Sequence, residues 1–244
     1  SAFSGCKYLI GSLRLPSTLL KIGSSAFSGC NNLSGELQLP ESLEVLGSHA
    51  FSNCGFSGSI KIPPKVKKVE DYVFYACSKL DGQLILHDDI LEIGNYAFSN
   101  FNWSSIGGFS GVLKLPSNLV TIGEQAFYAC NFSDLDQLPE SLTSVGRAAF
   151  LGCNFSGDFI LPSNLNIIQE SAFCGLNIQK LVIPNTVEYI APSAFSECYS
   201  LSTIICESTT PPTISSNTFS SVNKNNVTLE VPENSLNAYA NATY

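Results

Sequence analysis

The chain contains 244 residues, of which 13% are charged, and it carries a formal net charge of -8. A sparsely charged acidic chain has no general attraction to nucleic acid or to an anionic membrane, so neither is expected as a partner. It also lacks the run of about 18 apolar residues that a membrane-spanning helix requires, and no basic segment with a following apolar stretch marks a signal peptide.

The most regular feature of the sequence is a Phe that recurs every 22 to 24 residues, with one interval of 29. It occupies positions 3, 27, 51, 74, 98, 127, 150, 173, 195 and 219. Self-similarity at this period is typical of a solenoid, in which each unit buries its apolar face against its neighbours. We therefore predict a mainly β solenoid of about ten 22–24-residue turns, forming a single elongated domain over residues 1–244.

The two ends of the chain differ from this regular pattern. The sequence has no Met and opens within a repeat, so we expect a fragment of a longer protein whose signal and anchor lie outside these residues. Residues 207–244 depart from the repeat, and we expect an atypical capping unit there.

Each repeat begins with alternating apolar residues, as in Leu13-Arg14-Leu15 and Leu113-Lys114-Leu115. Alternation is typical of a short, half-buried strand, so each repeat is expected to add one strand to a parallel sheet. A Pro follows in most repeats, where it lacks a donor for the sheet and ends the strand.

A second apolar pair, such as Leu119 and Ile122, comes next in each repeat, and Gly often follows it. We expect these glycines to adopt positive φ in a sharp turn. They occupy positions 23, 47, 94, 123 and 146.

The motif Ala-Phe-x-x-Cys then places Phe and Cys three residues apart, on the inner face of a predicted helical or 3₁₀ turn. The cysteines are expected to be buried thiols that donate weakly to turn carbonyls. Disulfides between turns are the alternative, although side chains about 4.8 Å apart exceed the usual Cβ separation of about 3.8 Å. The predicted core ladder comprises Phe27, Phe51, Phe74, Phe98, Phe127, Phe150, Phe173 and Phe195, with Cys30, Cys54, Cys77, Cys130, Cys153 and Cys198.

These units resemble the BspA-like class of leucine-rich repeats, which read Ile-Pro-x-x-Val-x-x-Ile-Gly-x-x-Ala-Phe-x-x-Cys-x-x-Leu. Residues 115–130, Leu-Pro-Ser-Asn-Leu-Val-Thr-Ile-Gly-Glu-Gln-Ala-Phe-Tyr-Ala-Cys, follow this pattern almost without departure. The closing segment, from Pro211-Pro212 to Tyr239, also looks like the family's terminal unit in gut and oral bacteria. The resemblance implies a leucine-rich-repeat solenoid that is secreted or attached to a cell surface. Some members of this family bind extracellular matrix proteins and mediate adhesion, so the resemblance implies a similar role here.

Catalytic and metal-binding patterns are missing from the sequence. The two histidines, His49 and His87, have no matching Cys, Asp or Glu at ligand spacing, although Asp88 and Asp89 follow His87 directly. No catalytic residue, metal ligand or cofactor is therefore assigned, and the chain is not expected to be an enzyme.

Candidate binding residues lie at the variable positions of the repeat. The outward position of the strand becomes apolar at Ile160, Val182 and Ile205, which are expected to form an exposed stripe on the sheet face where solenoids receive ligands. The alternative is that β-branched residues simply suit exposed strands.

Two further candidates interrupt the regular pattern. Lys61, Lys65, Lys67 and Lys68 form a local basic patch, which is either a solvated face or a surface that steers an acidic partner. The 29-residue interval marks an insertion of about five residues that holds Trp103, and insertions in solenoids often map to the binding face. The alternative is that this aromatic ring folds back to cover the disrupted turn.

Asp136 occupies a position at which the aligned Phe159 points inward. An unpaired carboxylate in the core would be costly, so we expect a local bulge that turns Asp136 outward.

These patterns support three hypotheses about function. The first is a monomeric, non-enzymatic interaction module that binds an extracellular or cell-surface protein, such as a host matrix protein, through the sheet face. The second is a structural stalk that presents another domain. The third is a glycan-binding protein, which a single Trp supports only weakly.

Overall fold

The computed structural model describes residues 2–100 and 107–242, which coil into a parallel β-solenoid of about nine turns. The predicted fold class is confirmed. In chain order the strands are β1 (Lys21–Ile22), β2 (Val45–Leu46), β3 (Ile60–Lys61), β4 (Lys68–Val69), β5 (Leu84–Ile85), β6 (Glu92–Ile93), β7 (Ser110–Leu113), β8 (Thr121–Ile122), β9 (Asn131–Leu135), β10 (Ser144–Val145), β11 (Ser156–Ile160), β12 (Ile167–Ile168), β13 (Asn177–Ile183), β14 (Tyr189–Ile190), β15 (Thr203–Cys206), β16 (Thr213–Ile214) and β17 (Thr228–Glu230).

The strands lie on two faces of the coil. The first face carries the sheets β3-β5, β7-β9 and β11-β13-β15-β17, which include part of the predicted Leu-x-Leu strands. The expected strand at Leu13-Arg14-Leu15 is not formed, and β7 ends at Leu113. The second face is built from the second apolar pair of each repeat, in the sheets β1-β2, β4-β6-β8-β10 and β12-β14-β16. The sequence predicted only the first set, because two-residue strands are too short to show an alternating pattern.

The core is a column of stacked Phe rings. Consecutive repeat Phe side chains, from Phe3 to Phe219, have ring centroids 5.3 to 5.9 Å apart and planes within 18° of each other. Additional rings at the start of the next strand segment meet this column edge-on, which complements the stacked geometry. These rings are Phe56, Phe109, Phe132 and Phe155.

Six of the repeat cysteines link their turn to the one before it by a hydrogen bond. Each thiol lies 3.0 to 3.5 Å from the carbonyl oxygen of the preceding turn's Phe, in the pairs Cys30–Phe3, Cys54–Phe27, Cys77–Phe51, Cys130–Phe98, Cys153–Phe127 and Cys198–Phe173. All nine cysteines are free thiols. Burial raises the pKa of Cys77 and of Cys198 to about 12, so these thiols stay protonated and keep their donor hydrogen at neutral pH.

The Ala-Phe-x-x-Cys segment consists of two tight turns where a helical or 3₁₀ turn was predicted. The Cys30 amide does donate to the Phe27 carbonyl at 3.1 Å, as in a 3₁₀ turn, but Ser25 and Gly29 have φ of 54° and 76°. The residues with positive φ turn alternate amides toward the neighbouring turn. The Phe27 amide, for example, donates to the Ala50 carbonyl of the next turn at 2.8 Å. The segment therefore adds hydrogen bonds between turns, which a helix could not provide.

Gly recurs at this position of the repeat for a different reason from the one predicted. The expectation of positive φ at positions 23, 47, 94, 123 and 146 is wrong, because none of these glycines adopts it. An added Cβ on Gly23 would meet no atom within 4 Å, whereas one on any of the other four would meet the neighbouring turn. A Cβ atom on Gly47 would lie 2.6 Å from the Ser24 amide nitrogen, and one on Gly123 would lie 2.6 Å from the Asn95 amide nitrogen. Gly is required because neighbouring turns approach too closely there for any side chain.

The last turn is covered by a short helical unit. It contains 3₁₀ helices at Lys224–Asn226 and Glu233–Ser235, followed by α1 (Leu236–Ala240). The Tyr239 hydroxyl lies 2.9 Å from the Ser208 carbonyl oxygen and 3.0 Å from the Cys206 sulfur, which docks α1 onto β15. Within residues 2–100 and 107–242, no helix is long and apolar enough to cross a membrane.

Candidate interaction surface

Four strands of the first face, β11, β13, β15 and β17, bring the predicted apolar positions side by side. The pairing register places Ile160 next to Val182 and Val182 next to Ile205. Their strand neighbours Phe159 and Leu181 are buried in the core. Because side chains alternate along a strand, the three β-branched residues point outward.

We call Ile160, Val182 and Ile205 the apolar stripe. Ile160 is 60% exposed, and Val182 and Ile205 are half-buried. Three contiguous β-branched side chains at the surface offer apolar area that folding has left unburied. Their arrangement can support association with another apolar surface, but it supplies no nucleophile or proton-transferring group.

Acidic side chains surround the apolar stripe. Asp158 and Lys180 lie two residues before Ile160 and Val182 on the same face, with Lys180 Nζ 3.7 Å from Asp158 Oδ2. Glu230 is exposed beside Ile205 in the register of β15 and β17. The stripe is therefore an apolar patch within an acidic rim.

Asp136 lies directly after the end of β9, which contacts β11. Its side chain is exposed, and β9 contains an extra residue at Ser133, where the register with β7 shifts between Gly111 and Val112. The adjacent Leu135 takes the inward position and packs against the core. The predicted outward placement of Asp136 is confirmed, and the irregular pairing explains how its carboxylate avoids burial.

The four lysines of the predicted basic patch are each paired with a carboxylate from a neighbouring turn. The pairs are Lys61–Glu41 at 2.7 Å, Lys65–Glu44 at 2.8 Å, Lys67–Asp89 at 2.5 Å, and Lys68 with Glu92 at 3.1 Å and Glu70 at 3.6 Å. Four positive charges thus meet five negative ones. The cluster presents little uncompensated positive charge with which to steer an acidic partner.

These ion pairs also shift the titration of their members. The hydrogen bond that Lys68 donates to Glu92, together with the charge of Glu70, raises the pKa of Lys68. The Lys67 ammonium in turn lowers the pKa of Asp89. Because all of these side chains are largely exposed, the network contributes modestly to stability and is sensitive to salt.

Trp103 and the centre of the predicted insertion lie outside the described residues. Just after them, Phe109 is buried edge-on against Phe98 with ring centroids 5.8 Å apart. The Ser110 amide then donates to the Gly82 carbonyl of the preceding turn at 3.0 Å. Phe109 and Ser110 therefore belong to the regular core and its hydrogen-bonded turns.

A surface stack of aromatic rings was missed by the sequence reasoning. His49 stacks on Tyr72 with ring centroids 4.5 Å apart, and Tyr72 stacks on Tyr96 at 4.7 Å. The Tyr96 hydroxyl donates to Glu124 at 2.9 Å, and Glu124 is also paired with Arg147. The signal was present in the sequence, because each of the three rings occupies the repeat position directly before Ala-Phe or Val-Phe.

The histidines occupy structural positions in the fold. His49 belongs to the aromatic stack, and His87 Nε2 lies 3.1 Å from the Val66 carbonyl oxygen. Among the residues that the structure describes, no three His, Cys, Asp or Glu side chains converge as a metal site would require.

An apolar cavity of about 450 Å³ lies beneath the terminal helix. Its walls include Ile190, Ile204 and Phe219, and Tyr239 of α1 closes one side. The cavity occupies the end of the Phe column, next to Phe219.

Comparison with known proteins places this architecture in a family. The model of the BspA type leucine-rich repeat region matches residues 1–119 and 120–243, in six copies. The chain belongs to the BspA-type leucine-rich repeat family, and the predicted membership is confirmed. Such a repeat family indicates a role in protein interaction or at a surface, and its solenoids are generally non-enzymatic.

Two solved structures from gut bacteria are similar to this chain. A leucine-rich repeat protein from Bacteroides ovatus ATCC 8483 is 20% identical, with a TM-score of 0.62 over 97% of this chain and 67% of that chain. A leucine rich cell surface protein from Faecalibacterium prausnitzii A2-165 is 20% identical, with a TM-score of 0.47 over 99% of this chain and 85% of that chain. At this identity, the Bacteroides structure supports the fold alone. None of the curated proteins matches the sequence.

Proposed function

We propose that this chain is a non-enzymatic interaction module of a secreted or cell-surface protein, and that it binds an extracellular protein through the apolar stripe. The observation that carries the proposal is the register of Ile160, Val182 and Ile205, which aligns three outward β-branched side chains on adjacent strands. Family membership supports the same class of function, because BspA-type repeats are associated with interaction and surface roles.

The energetic argument rests on apolar area. Burial of exposed apolar surface contributes about 25 cal/mol per Å², and central apolar anchors within a polar rim provide most of the affinity of protein interfaces. The apolar stripe has this arrangement, with Asp158, Lys180 and Glu230 around it. An extracellular matrix protein is the partner that we propose to test first.

The test uses the 244-residue chain immobilised against purified extracellular matrix proteins. We expect saturable binding to at least one of them, and we expect Ile160→Glu with Val182→Lys to weaken it by roughly a hundredfold, since charges would replace the central apolar contacts. Circular dichroism should show the same fold for both proteins, because the replaced side chains point outward.

A matched control changes an equivalent pair on the second face. Ile167 and Tyr189 are paired between β12 and β14 and are 41% and 36% exposed. Ile167→Glu with Tyr189→Lys should leave the affinity unchanged. Equal losses from both double variants would contradict a specific role for the apolar stripe, whereas a chain that binds no protein would be a structural stalk.

A further inference from the structure

We infer that the segment that docks on the apolar stripe is a basic amphipathic α-helix, aligned with the solenoid axis. This inference rests on the proposed function of the stripe and adds the chemistry of the partner. It follows from the charges around the stripe and from the spacing of the strands that carry it.

The rim of the stripe is acidic on both flanks. Asp136 is exposed directly after the end of β9, which contacts β11, and Asp158 lies two residues before Ile160. On the opposite flank, Glu207 lies two residues beyond Ile205, and Glu230 is paired with Ile205 in register. Both glutamates are exposed.

Two lysines offset part of this charge. Lys180 is already paired with Asp158. Lys114 is exposed and follows Leu113, which pairs with Leu135, so it lies close to Asp136. The four acidic residues of the rim therefore outnumber the two lysines beside it. Among the residues that the structure describes, Asp136, Glu207 and Glu230 have no ion-pair partner. A partner that buries the stripe must approach these carboxylates, so lysine or arginine beside its apolar residues is favoured and acidic residues are repelled. The same charge disfavours an anionic membrane.

The length of the stripe fits a helix. Adjacent parallel strands are about 4.8 Å apart, so Ile160, Val182 and Ile205 span about 10 Å across three strands. Apolar residues at positions i, i+4 and i+7 of an α-helix span about 10.5 Å along its axis. Such a helix, lying across the strands, would place one apolar side chain against each residue of the stripe and its basic residues against the rim.

The test compares two peptides of about 15 residues, each with three leucines at positions i, i+4 and i+7. A hydrocarbon staple on the opposite face holds each peptide in a helix. One carries lysines beside the leucines and the other carries glutamates. Fluorescence anisotropy with the whole chain should show at least tenfold tighter binding of the basic peptide. Its affinity should fall by roughly tenfold between about 50 and 300 mM salt.

Two variants of the protein separate charge from apolar contact. Asp136→Lys with Glu230→Lys should weaken the basic peptide by at least tenfold and flatten its salt dependence. Ile160→Ala with Ile205→Ala should also weaken it, but should keep the salt dependence. The matched control, Glu170→Lys with Glu188→Lys, reverses two exposed charges away from the stripe and should have little effect.

The possible failures identify which proposal is at fault. Equal affinity for the two peptides, no binding of either, or equal effects of the two charge-reversal pairs would overturn the inference about the helix. If the inference about the helix fails, loss of matrix-protein binding in the Ile160/Val182 variant would still support the proposed function. Unchanged matrix-protein binding in that variant would instead overturn the proposed function.

Discussion

The thiol of Cys54 donates a hydrogen bond to the carbonyl oxygen of Phe27, one turn earlier, with sulfur and oxygen 3.1 Å apart. Cys54 is almost fully buried, so its replacement removes both a donor and packed volume. We expect Cys54→Ala to lower the free energy of unfolding by about 1–2 kcal/mol. Urea unfolding followed by circular dichroism measures this change, and Cys6→Ala, at a half-buried thiol of the first turn, should cost less.

Alkaline pH should destabilise the fold through the same thiols. The pKa of Cys77 is 9.0 in its ordinary state and is raised by burial to about 12 in the fold. Between these values the unfolded chain releases a proton that the folded chain keeps, so stability is complete below about pH 9 and falls as the pH rises towards about 12. Burial also raises the pKa of Tyr72 and of Tyr96, which acts in the same direction.

The measurement for this pH effect is the urea midpoint at several pH values between about 8 and 11. The Cys77→Ala variant should lose less stability across this range than the parent chain, although it starts from a lower value. A midpoint that is independent of pH in the parent would show that the thiols titrate alike in the folded and unfolded states.

Gly146→Ala should be strongly destabilising, although its backbone conformation suits any residue. The added Cβ would lie 2.5 Å from the Glu124 amide nitrogen, so neighbouring turns would have to separate. We expect a loss of about 1–3 kcal/mol, as for overpacking in a core. Gly23 provides the matched control, because a Cβ there has no atom within 4 Å, and Gly23→Ala should be neutral or slightly stabilising. Similar losses at both sites would exclude close approach as the cause.

Lys68→Gln should reduce stability slightly at low salt. Lys68 bridges Glu70 and Glu92, but its side chain is 46% exposed, so the expected loss is about 0.2–1 kcal/mol. Thermal unfolding at low and high salt should show the difference from the parent disappearing as the salt increases. Lys114→Gln is the control, because Lys114 has no ion pair within the described part of the chain. A loss that persists in high salt would point to packing of the lysine stem.

The repeating Phe and Cys positions could be predicted because their environment repeats at the same period as the sequence. The reason for Gly at position 123 could not be predicted. A Cβ atom there would collide with Asn95 of the preceding turn, and the sequence does not reveal how closely two turns approach. The second face escaped prediction for a related reason. A strand such as Thr121–Ile122 is recognised by its hydrogen bonds to strands in the adjacent turns. Two residues are too few to show an alternating pattern in the sequence.

The candidate surface was only partly predictable. The alternation around Ile160 was sufficient to place it outward, and the alignment of repeats located its neighbours on the next strands. The basic patch required one further step, since Lys65 meets Glu44 from the preceding repeat and Lys67 meets Asp89 from the following one. Their spacings of 21 and 22 residues are close to the repeat period, so comparing adjacent repeats would have revealed the charge pairing.

The hydrogen bonds that link the turns, such as that from the Phe27 amide to the Ala50 carbonyl, run along the long axis of the solenoid. A pull on the two ends therefore loads every turn in series. Release of one 22-residue turn would add about 75 Å of extended chain. Under tension the molecule would lengthen in successive steps of similar size, with a longer one at the 29-residue interval, and absorb mechanical work at each one.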